Sequence, residues 1–206
     1  MAAIKIHGVP PSTFTRTVLL ACHEKGIDHE LVPTMPSEIT ALNPFRKIPA
    51  ITHGDLVLYE STAILRYFDR TLPGPKLWPE DSVGIARCDQ WISAICDSLV
   101  HAALRYMASR YGFLPVPAEM QQQYLDKTRE FLPIFDRQLG QTRYLAGEAM
   151  TAADLFLAPL YFYFADIPQL KTIADSAPNC ERWAREMSAR PSVLATEPAD
   201  KPRLAA

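Results

Sequence analysis

A change of hydrophobic period near residue 75 constrains the fold more than any other feature of this sequence. Before that point, short extended runs alternate with stretches of helical spacing, and after it the spacing stays helical. The change coincides with PGPKLWPED (Pro73 to Asp81), where three prolines and one glycine fall within nine residues, as is typical of a linker. We therefore predict two domains, residues 1–75 and residues 83–206, joined by a linker at residues 76–82.

The first of these domains is predicted to be an α/β layer. Gly26 after a helical stretch indicates a helix C-terminus, and Gly54-Asp55 between two apolar runs is a hairpin signal. The segments in chain order are IKIH (extended), TRTVLLACHEK (helical), HELVP, KIPAIT and LVLYE (extended), and ESTAILRYFDRTL (helical). The predicted order is therefore β-α-β, a short helix or loop, then β-β-α.

The second domain is predicted to be all-helical. Its apolar residues recur every three or four positions over long stretches. Thr151-Ala152-Ala153-Asp154 resembles a capping box, in which Asp154 has a structural role. The predicted helices run from Cys88 to near Gly112, from about Pro117 to Leu139, onward from Thr151, and over CERWAREMSAR to a break at Pro191.

Composition argues against several classes of partner. The net charge is −2 with no block of Lys and Arg, so neither nucleic acid nor an anionic membrane is expected as the main partner. No apolar run approaches the roughly 18 residues that cross a bilayer, and the N-terminus lacks the pattern of a signal peptide. We expect a cytoplasmic protein without a metal, because the cysteines show neither CxxC nor metal-ligand spacing and are typical of buried small hydrophobes. They are Cys22, Cys88, Cys96 and Cys180.

Several stretches together carry a resemblance to a known family. They are IKIHGVPPSTFTRTVLLACHEKGIDHELV, NPFRKIPAI, LYESTAILRYF, YLAGEAMTAADLFLAP and RPSV. Over nearly its whole length the chain resembles the cytosolic glutathione transferases, of the serine type and most similar to the phi class. The resemblance implies a thioredoxin-like βαβ-ββα domain that binds glutathione and an all-helical domain that contributes the electrophile site. One departure is VPTMPSEITALNPF, which is shorter than its phi-class counterpart and leaves the glycyl end of glutathione without a clear partner.

The resemblance also assigns glutathione-binding residues. A cis Pro49 would let Ile48 offer its N–H and C=O to the cysteinyl backbone, as a short piece of added β-strand. Ser61 and the helix N-terminus would bind the γ-glutamyl carboxylate, and Glu60 would bind the ammonium group. The alternative for Ser61 is an N-cap alone, and we expect some capping in either case. Lys47 is either a partner of the glycyl carboxylate or a solvated lysine.

The stretch GVPPSTFTR (Gly8 to Arg16) holds the catalytic candidate. A hydroxyl residue after two prolines is expected to cap a helix N-terminus. Ser12 matches the family serine, whose hydroxyl would stabilise the glutathione thiolate. Thr13 is the runner-up, and Thr15 is expected to cap or face the helix.

The remaining candidates are apolar. We expect a small apolar electrophile as the second substrate, because the surfaces left to line the cleft are apolar. The candidate contacts are Val9, Pro10, Met107, Tyr111 and Tyr163, although aromatic residues at helical spacing are more often core. The resemblance also places Phe45 where several transferase classes have an aromatic residue that contacts the neighbouring subunit, so we predict a homodimer with Phe45 in the contact. A core position is the alternative, but an apolar residue beside two charges on a loop suits an interface better.

The residues and the family resemblance together leave three candidate functions. The leading one is an enzyme that adds glutathione thiolate to electrophiles by substitution, addition or peroxide reduction. The alternative is a non-catalytic carrier of apolar ligands, or a subunit of a larger assembly, with the same fold. An oxidoreductase working through a mixed disulfide would need a cysteine at position 12, where the chain has serine.

Overall fold

The computed structural model describes residues 3–199 and 202–204. The chain divides into two compact units. The first consists of residues 3–78 with residues 190–199, and the second is built mainly from residues 79–189. The predicted fold class, a thioredoxin-like α/β domain followed by an all-helical one, is confirmed.

A four-stranded sheet forms the centre of the first unit, and its strands are β1 (Ile4–Gly8), β2 (His29–Pro33), β3 (Ala50–His53) and β4 (Leu56–Tyr59). Their order in the sheet is β2-β1-β3-β4. β1 pairs parallel to β2, and the remaining two pairs are antiparallel. Gly54, in the left-handed region at φ 60°, lies in the turn between β3 and β4, where the sequence predicted a hairpin.

Two helices of this unit, α1 (Thr13–Lys25) and α2 (Ser61–Thr71), pack against each other. α2 buries Ile64, Leu65 and Phe68, which its helical spacing places on one face. α1 ends at Gly26, whose left-handed backbone donates to carbonyls of the last turn, as predicted. The segment before β3 holds only a single 3₁₀ turn, Ile39–Ala41.

A further short helix, α9 (Pro191–Ala195), belongs to the first unit and packs on α1. The sequence-based boundaries assigned these residues to the helical domain, and the difference arises because their contacts lie far away in the sequence. Pro191 does break the preceding helix, but it also begins a new one, since its fixed φ suits a first helical position.

The second unit is helical, and none of the helices in the described ranges is long and apolar enough to cross a membrane. The long helix predicted from Cys88 is present, but its central part, Ile95–Leu104, winds as a π-helix rather than with α-helical spacing. The capping box at Thr151 and Asp154 is confirmed. The α-helices are α3 (Ser82–Ala94), α4 (Arg105–Arg110), α5 (Ala118–Leu139), α6 (Ala152–Tyr161), α7 (Pro168–Ala174) and α8 (Pro178–Ser188).

Candidate functional site

Ser12 occupies the N-cap position of α1, directly after the loop that leaves β1. Its Oγ accepts a hydrogen bond from the backbone N–H of Thr15 at 3.3 Å. Its own backbone N–H donates to the carbonyl of Val9 at 3.0 Å, which closes the loop that contains both prolines. The capping role predicted for this stretch is therefore confirmed for Ser12.

Capping does not use up the Ser12 hydroxyl. A serine hydroxyl carries one hydrogen to donate and two lone pairs to accept. The cap occupies a lone pair, and within residues 3–199 and 202–204 the hydroxyl hydrogen donates to no protein acceptor. The group can therefore cap the helix and donate to an anion at the same time.

The two neighbouring threonines are placed differently. Thr15 is fully buried, and a Cβ added to Gly8 would collide with its Oγ1, so this side chain packs directly on the end of β1. Its hydroxyl caps nothing, and its backbone N–H is instead capped by Ser12. Thr13 is also buried, and its carbonyl accepts from the hydroxyl of Thr17 at 3.1 Å.

The Ile48–Pro49 peptide bond is cis, as the family resemblance implied. Pro49 is buried and β3 begins at the next residue. In the described part of the chain, neither the N–H nor the C=O of Ile48 has a hydrogen-bond partner. Both groups are therefore free to pair with an extended peptide.

Lys47, just before this bond, extends an exposed side chain. The turn that carries it is held by Asn43, whose Nδ2 donates to the Lys47 carbonyl at 2.7 Å. Arg46 within the turn has a left-handed backbone at φ 53°. Lys47 therefore lies beside Ile48 with its side chain in solvent.

The N-terminus of α2 differs from the expectation for Ser61. The N-cap residue is Glu60, without a side-chain cap, and Ser61 is the first helical residue, so the N-cap role predicted for Ser61 is wrong. Ser61 is only 8% exposed, and its hydroxyl makes no hydrogen bond to another described residue. The first N–H groups of a helix lack intrahelical acceptors and carry a partial positive charge, so this end of α2 suits a carboxylate.

Glu60 has a backbone φ of 69°, in the left-handed region. For a residue with a side chain, this conformation costs on the order of 1–2 kcal/mol. Because Glu60 is exposed and caps nothing with its side chain, capping does not account for this cost. Strain of this kind is concentrated at ligand-binding sites.

The electrophile candidates lie in both units. Val9 and Pro10 are half-buried in the loop before α1. In the second unit, Met107, Tyr111 and Tyr163 are all buried, and the rings of the two tyrosines meet edge to face at 5.9 Å. Burial raises the pKa of Tyr111, and the nearby Asp166 and Tyr163 add to this effect.

The cysteines offer no reactive thiol at the candidate site. Burial raises the pKa of Cys22 to about 12 and that of Cys88 to about 11, so both thiols stay protonated at neutral pH. Cys180 is buried as well, as the sequence predicted, whereas Cys96 is half-buried. Among residues 3–199 and 202–204, no group of three or more side chains is arranged to hold a metal ion.

Sequence reasoning missed one residue beside the candidate site. Arg16 follows Thr15 in the first turn of α1 and is only 4% exposed. Its backbone N–H donates to the Ser12 carbonyl at 2.9 Å. The available signal was an arginine between buried helix positions, which needs partners for its donors.

Comparison with known proteins identifies the family. The model for the glutathione S-transferase N-terminal domain matches residues 11–71, and the model for the C-terminal domain matches residues 95–191. Glutathione S-transferase F13 of Arabidopsis thaliana is 31% identical, over 95% of this chain and 95% of that protein. The crystal structure of poplar glutathione transferase F1 superposes with a TM-score of 0.85 at 30% identity, over 95% of this chain and 97% of the other.

A further solved structure similar to this chain is that of a glutathione S-transferase I bound with lactoylglutathione, at a TM-score of 0.84 and 26% identity. It covers 95% of this chain and 99% of the other. The F designations of the relatives agree with the phi-class similarity of the opening residues. The chain belongs to the glutathione S-transferase family.

Proposed function

We propose that the protein is a glutathione transferase that ionises the glutathione thiol and adds the thiolate to small apolar electrophiles, by substitution, addition or peroxide reduction. The observation that carries the proposal is the Ser12 hydroxyl, which caps α1 through a lone pair and keeps its hydrogen free at the positive end of the helix. The names of the similar proteins support the same activity.

One hydroxyl hydrogen bond and a helix N-terminus supply enough free energy to ionise the thiol, without a metal or a separate base. A free thiol has a pKa of about 8.5, and lowering it by about two units requires roughly 2.7 kcal/mol in favour of the anion. A hydrogen bond to a charged acceptor supplies about 1.5–3 kcal/mol, and the positive end of a helix adds about 0.3–1 kcal/mol. The thiol proton leaves to solvent as the thiolate forms. In substitution the thiolate then displaces an anionic leaving group, and in addition the anion left on the electrophile takes a proton from solvent. In peroxide reduction the thiolate attacks one peroxide oxygen and releases the alcohol, and a second glutathione displaces water from the resulting sulfenic acid to give the disulfide.

In this proposal, glutathione is bound through contacts to its peptide backbone and its charged ends, and these contacts stay the same during the reaction. The free N–H and C=O of Ile48, next to cis Pro49, pair with the cysteinyl backbone. Ser61 and the start of α2 bind the γ-glutamyl carboxylate, and Glu60 binds the ammonium group. Lys47 is the candidate partner of the glycyl carboxylate.

The second substrate in this proposal is a small apolar electrophile. Val9 and Pro10 in the first unit, and Met107, Tyr111 and Tyr163 in the second, remain the candidates for apolar contact. Their apolar character supports an apolar second substrate. The free cysteines support the cytoplasmic location proposed from the sequence, because that compartment keeps thiols reduced.

Glutathione-dependent turnover tests this proposal. The purified protein is assayed with a panel of halo-aromatics, isothiocyanates and hydroperoxides, while calorimetry measures its affinity for glutathione. We expect glutathione binding and turnover of at least one of these classes. Binding of apolar ligands without turnover of any class would instead identify a carrier with the same fold.

Replacing Ser61 or Glu60 by alanine is expected to weaken glutathione binding more than it slows the reaction at saturation. Both groups contact the end of glutathione that is remote from sulfur, so they stabilise ground and transition states about equally. Calorimetry should show a loss of roughly tenfold to a hundredfold in affinity for each, from about 1.5–3 kcal/mol of hydrogen bonding to a charged group. Ser82→Ala, at an exposed helix start in the second unit, is the control and should bind as the wild type does. Unchanged affinity in both variants would contradict the assignment.

The protein is expected to be a homodimer with Phe45 in the contact. Phe45 is 65% exposed, which excludes a core position within the chain, and its ring lies 6.0 Å from that of Tyr59. Phe45→Ala should therefore weaken the dimer measurably in sedimentation equilibrium, while the equally exposed Phe113→Ala should not. A dimer that is unchanged in Phe45→Ala removes this residue from the interface, and a monomeric wild type contradicts the dimer itself.

A further inference from the structure

The first turn of α1, which carries Ser12, is held on two sides. On one side Thr15 packs on the end of β1 at Gly8, where an added Cβ would collide with the Thr15 side chain. On the other side the Arg16 side chain reaches α9, far along the chain. Ser12 is tied to this turn through the N–H groups of Thr15 and Arg16, which donate to its Oγ and its carbonyl. A shift of the turn therefore moves the Ser12 hydroxyl.

The Arg16 guanidinium binds the C-terminal end of α9. One terminal nitrogen donates to the Val193 carbonyl at 3.1 Å, and Nε donates to Oγ1 of Thr196 at 3.4 Å. The Thr196 hydroxyl in turn donates to the Ser192 carbonyl at 2.8 Å. A cation at this end of a helix is favoured, because the last carbonyls lack intrahelical donors. The planar fork of arginine matches two acceptors at once, which an ammonium group cannot do in the same geometry.

A second point of attachment lies near the other end of α1. The Glu24 carboxylate accepts from Nε of Arg190 at 2.7 Å and from a terminal nitrogen of the same residue at 2.6 Å. Ser192 donates to the same carboxylate. Burial opposes the ionisation of Glu24, but the hydrogen bonds from Arg190 and Ser192 outweigh it, so the pKa of this carboxyl is lowered. The segment from Arg190 to Thr196 is therefore bonded to α1 at two points, Arg16 in the first turn and Glu24 in the last.

We propose that Arg16 is a positioning residue for the Ser12 hydroxyl, and that the segment from Arg190 to Thr196 fixes the first turn of α1 through it. The inference rests on the proposed function, since it gives the Ser12 hydroxyl a thiolate to stabilise. It goes beyond that function by making the thiolate site depend on residues that follow the helical unit in the chain. Arg16 itself needs no contact with glutathione or the electrophile.

Arg16→Met tests the proposal, because methionine keeps much of the apolar stem and removes the donors. Ultraviolet titration of the bound glutathione thiol should give a pKa about 0.5–1 unit higher than in the wild type, since the Ser12 hydrogen bond is misdirected but not lost. Glutathione affinity should stay within about twofold, because the groups at Ile48 and α2 are untouched. Arg70→Met, which removes an exposed arginine of the same unit, should leave the thiol pKa unchanged.

Two further variants distinguish a positioning effect from a folding defect in Arg16→Met. Arg16→Lys keeps the charge and should give a smaller shift in the same direction. Thr196→Val removes an acceptor on the α9 side without altering α1, and should also raise the thiol pKa. Thr196→Val breaks the Arg16–Thr196 hydrogen bond, which Arg16→Met already removes. The double variant should therefore shift the thiol pKa no further than Arg16→Met alone. A simple sum of the two shifts would overturn the role given to α9.

Hydrogen exchange supplies a readout that does not depend on glutathione. The peptide that covers the first turn of α1 should exchange faster in Arg16→Met than in Arg70→Met. A folded Arg16→Met that binds glutathione with the wild-type thiol pKa would overturn the proposal, even with a lower melting temperature. Failure of the proposed function looks different, since the wild type would then turn over no electrophile of the panel. Failure of the Ser12 role alone would show as one bound-thiol pKa shared by the wild type and Ser12→Ala, and the inference would fall with it.

Discussion

Ser12→Ala is expected to raise the pKa of bound glutathione by about one to two units, and to lower the rate at neutral pH about tenfold to a hundredfold. The substitution removes a single charge-assisted hydrogen bond, worth on the order of 2–3 kcal/mol. The pH–rate profile should move upward by the same amount as the thiol pKa. Glutathione affinity should change little, because Ile48, Glu60 and Ser61 still hold the peptide.

The structure complicates this test, since Ser12 is also the N-cap of α1. Losing a serine N-cap to alanine costs about 1 kcal/mol of stability, whereas glycine at that position costs only a few tenths. Ser12→Gly is therefore the matched variant: it lacks the hydroxyl but keeps most of the helix stability. Both variants should show the same rise in thiol pKa, and only Ser12→Ala should show a clear drop in melting temperature.

Thr13→Ala identifies which hydroxyl acts. Direct ultraviolet titration of the bound thiolate reads ionisation without turnover, so it separates activation of the thiol from other steps. A shifted pKa in Thr13→Ala with none in Ser12→Ala would mean that the runner-up carries the role. No shift in either variant would mean that the helix end and backbone donors stabilise the thiolate without a hydroxyl.

Elements with a strong local pattern could be predicted from the sequence. The strands, α1 with its Gly26 terminus and the buried face of α2 all follow from periodicity and capping residues. Ser12 as N-cap belongs to the same class, because capping is decided within three residues along the chain. The cis bond before Pro49 does not, since such bonds are a minority in general and only the family resemblance pointed to it.

Features set by distant contacts could not be predicted in this way. Arg16 bonds α9 across 177 and 180 positions of sequence, so nothing near either residue reveals the pairing. The left-handed backbone of Glu60 also lacks a sequence signal, because glycine is the residue that normally marks such a position. The π-helical turns of Ile95–Leu104 contain apolar residues that fit α-helical spacing equally well.

The helical unit contains a buried carboxylate whose loss should have the largest effect on stability. Asp154 is fully buried, and its two oxygens accept from four donors. Oδ1 accepts from the Leu145 N–H at 3.1 Å and from the Trp183 indole at 2.9 Å. Oδ2 accepts from the Thr151 N–H at 2.9 Å and from the Thr151 hydroxyl at 3.3 Å. This one side chain therefore joins the start of α6 to α8 and to the segment before α6.

Asp154→Ala is expected to lower the free energy of unfolding by about 3–5 kcal/mol, since each buried donor left without an acceptor costs about 1–3 kcal/mol and the capping box is lost as well. Denaturant unfolding monitored by tryptophan fluorescence measures this loss. Asp154→Asn separates hydrogen bonding from packing: it keeps the shape but turns a donor toward donors, so it should remain well below the wild type in stability. Asp126→Ala, an exposed aspartate of the same unit, should change stability by about 0.5 kcal/mol or less. If Asp154→Asn were as stable as the wild type, the four donors would not need a carboxylate, and shape alone would explain this residue.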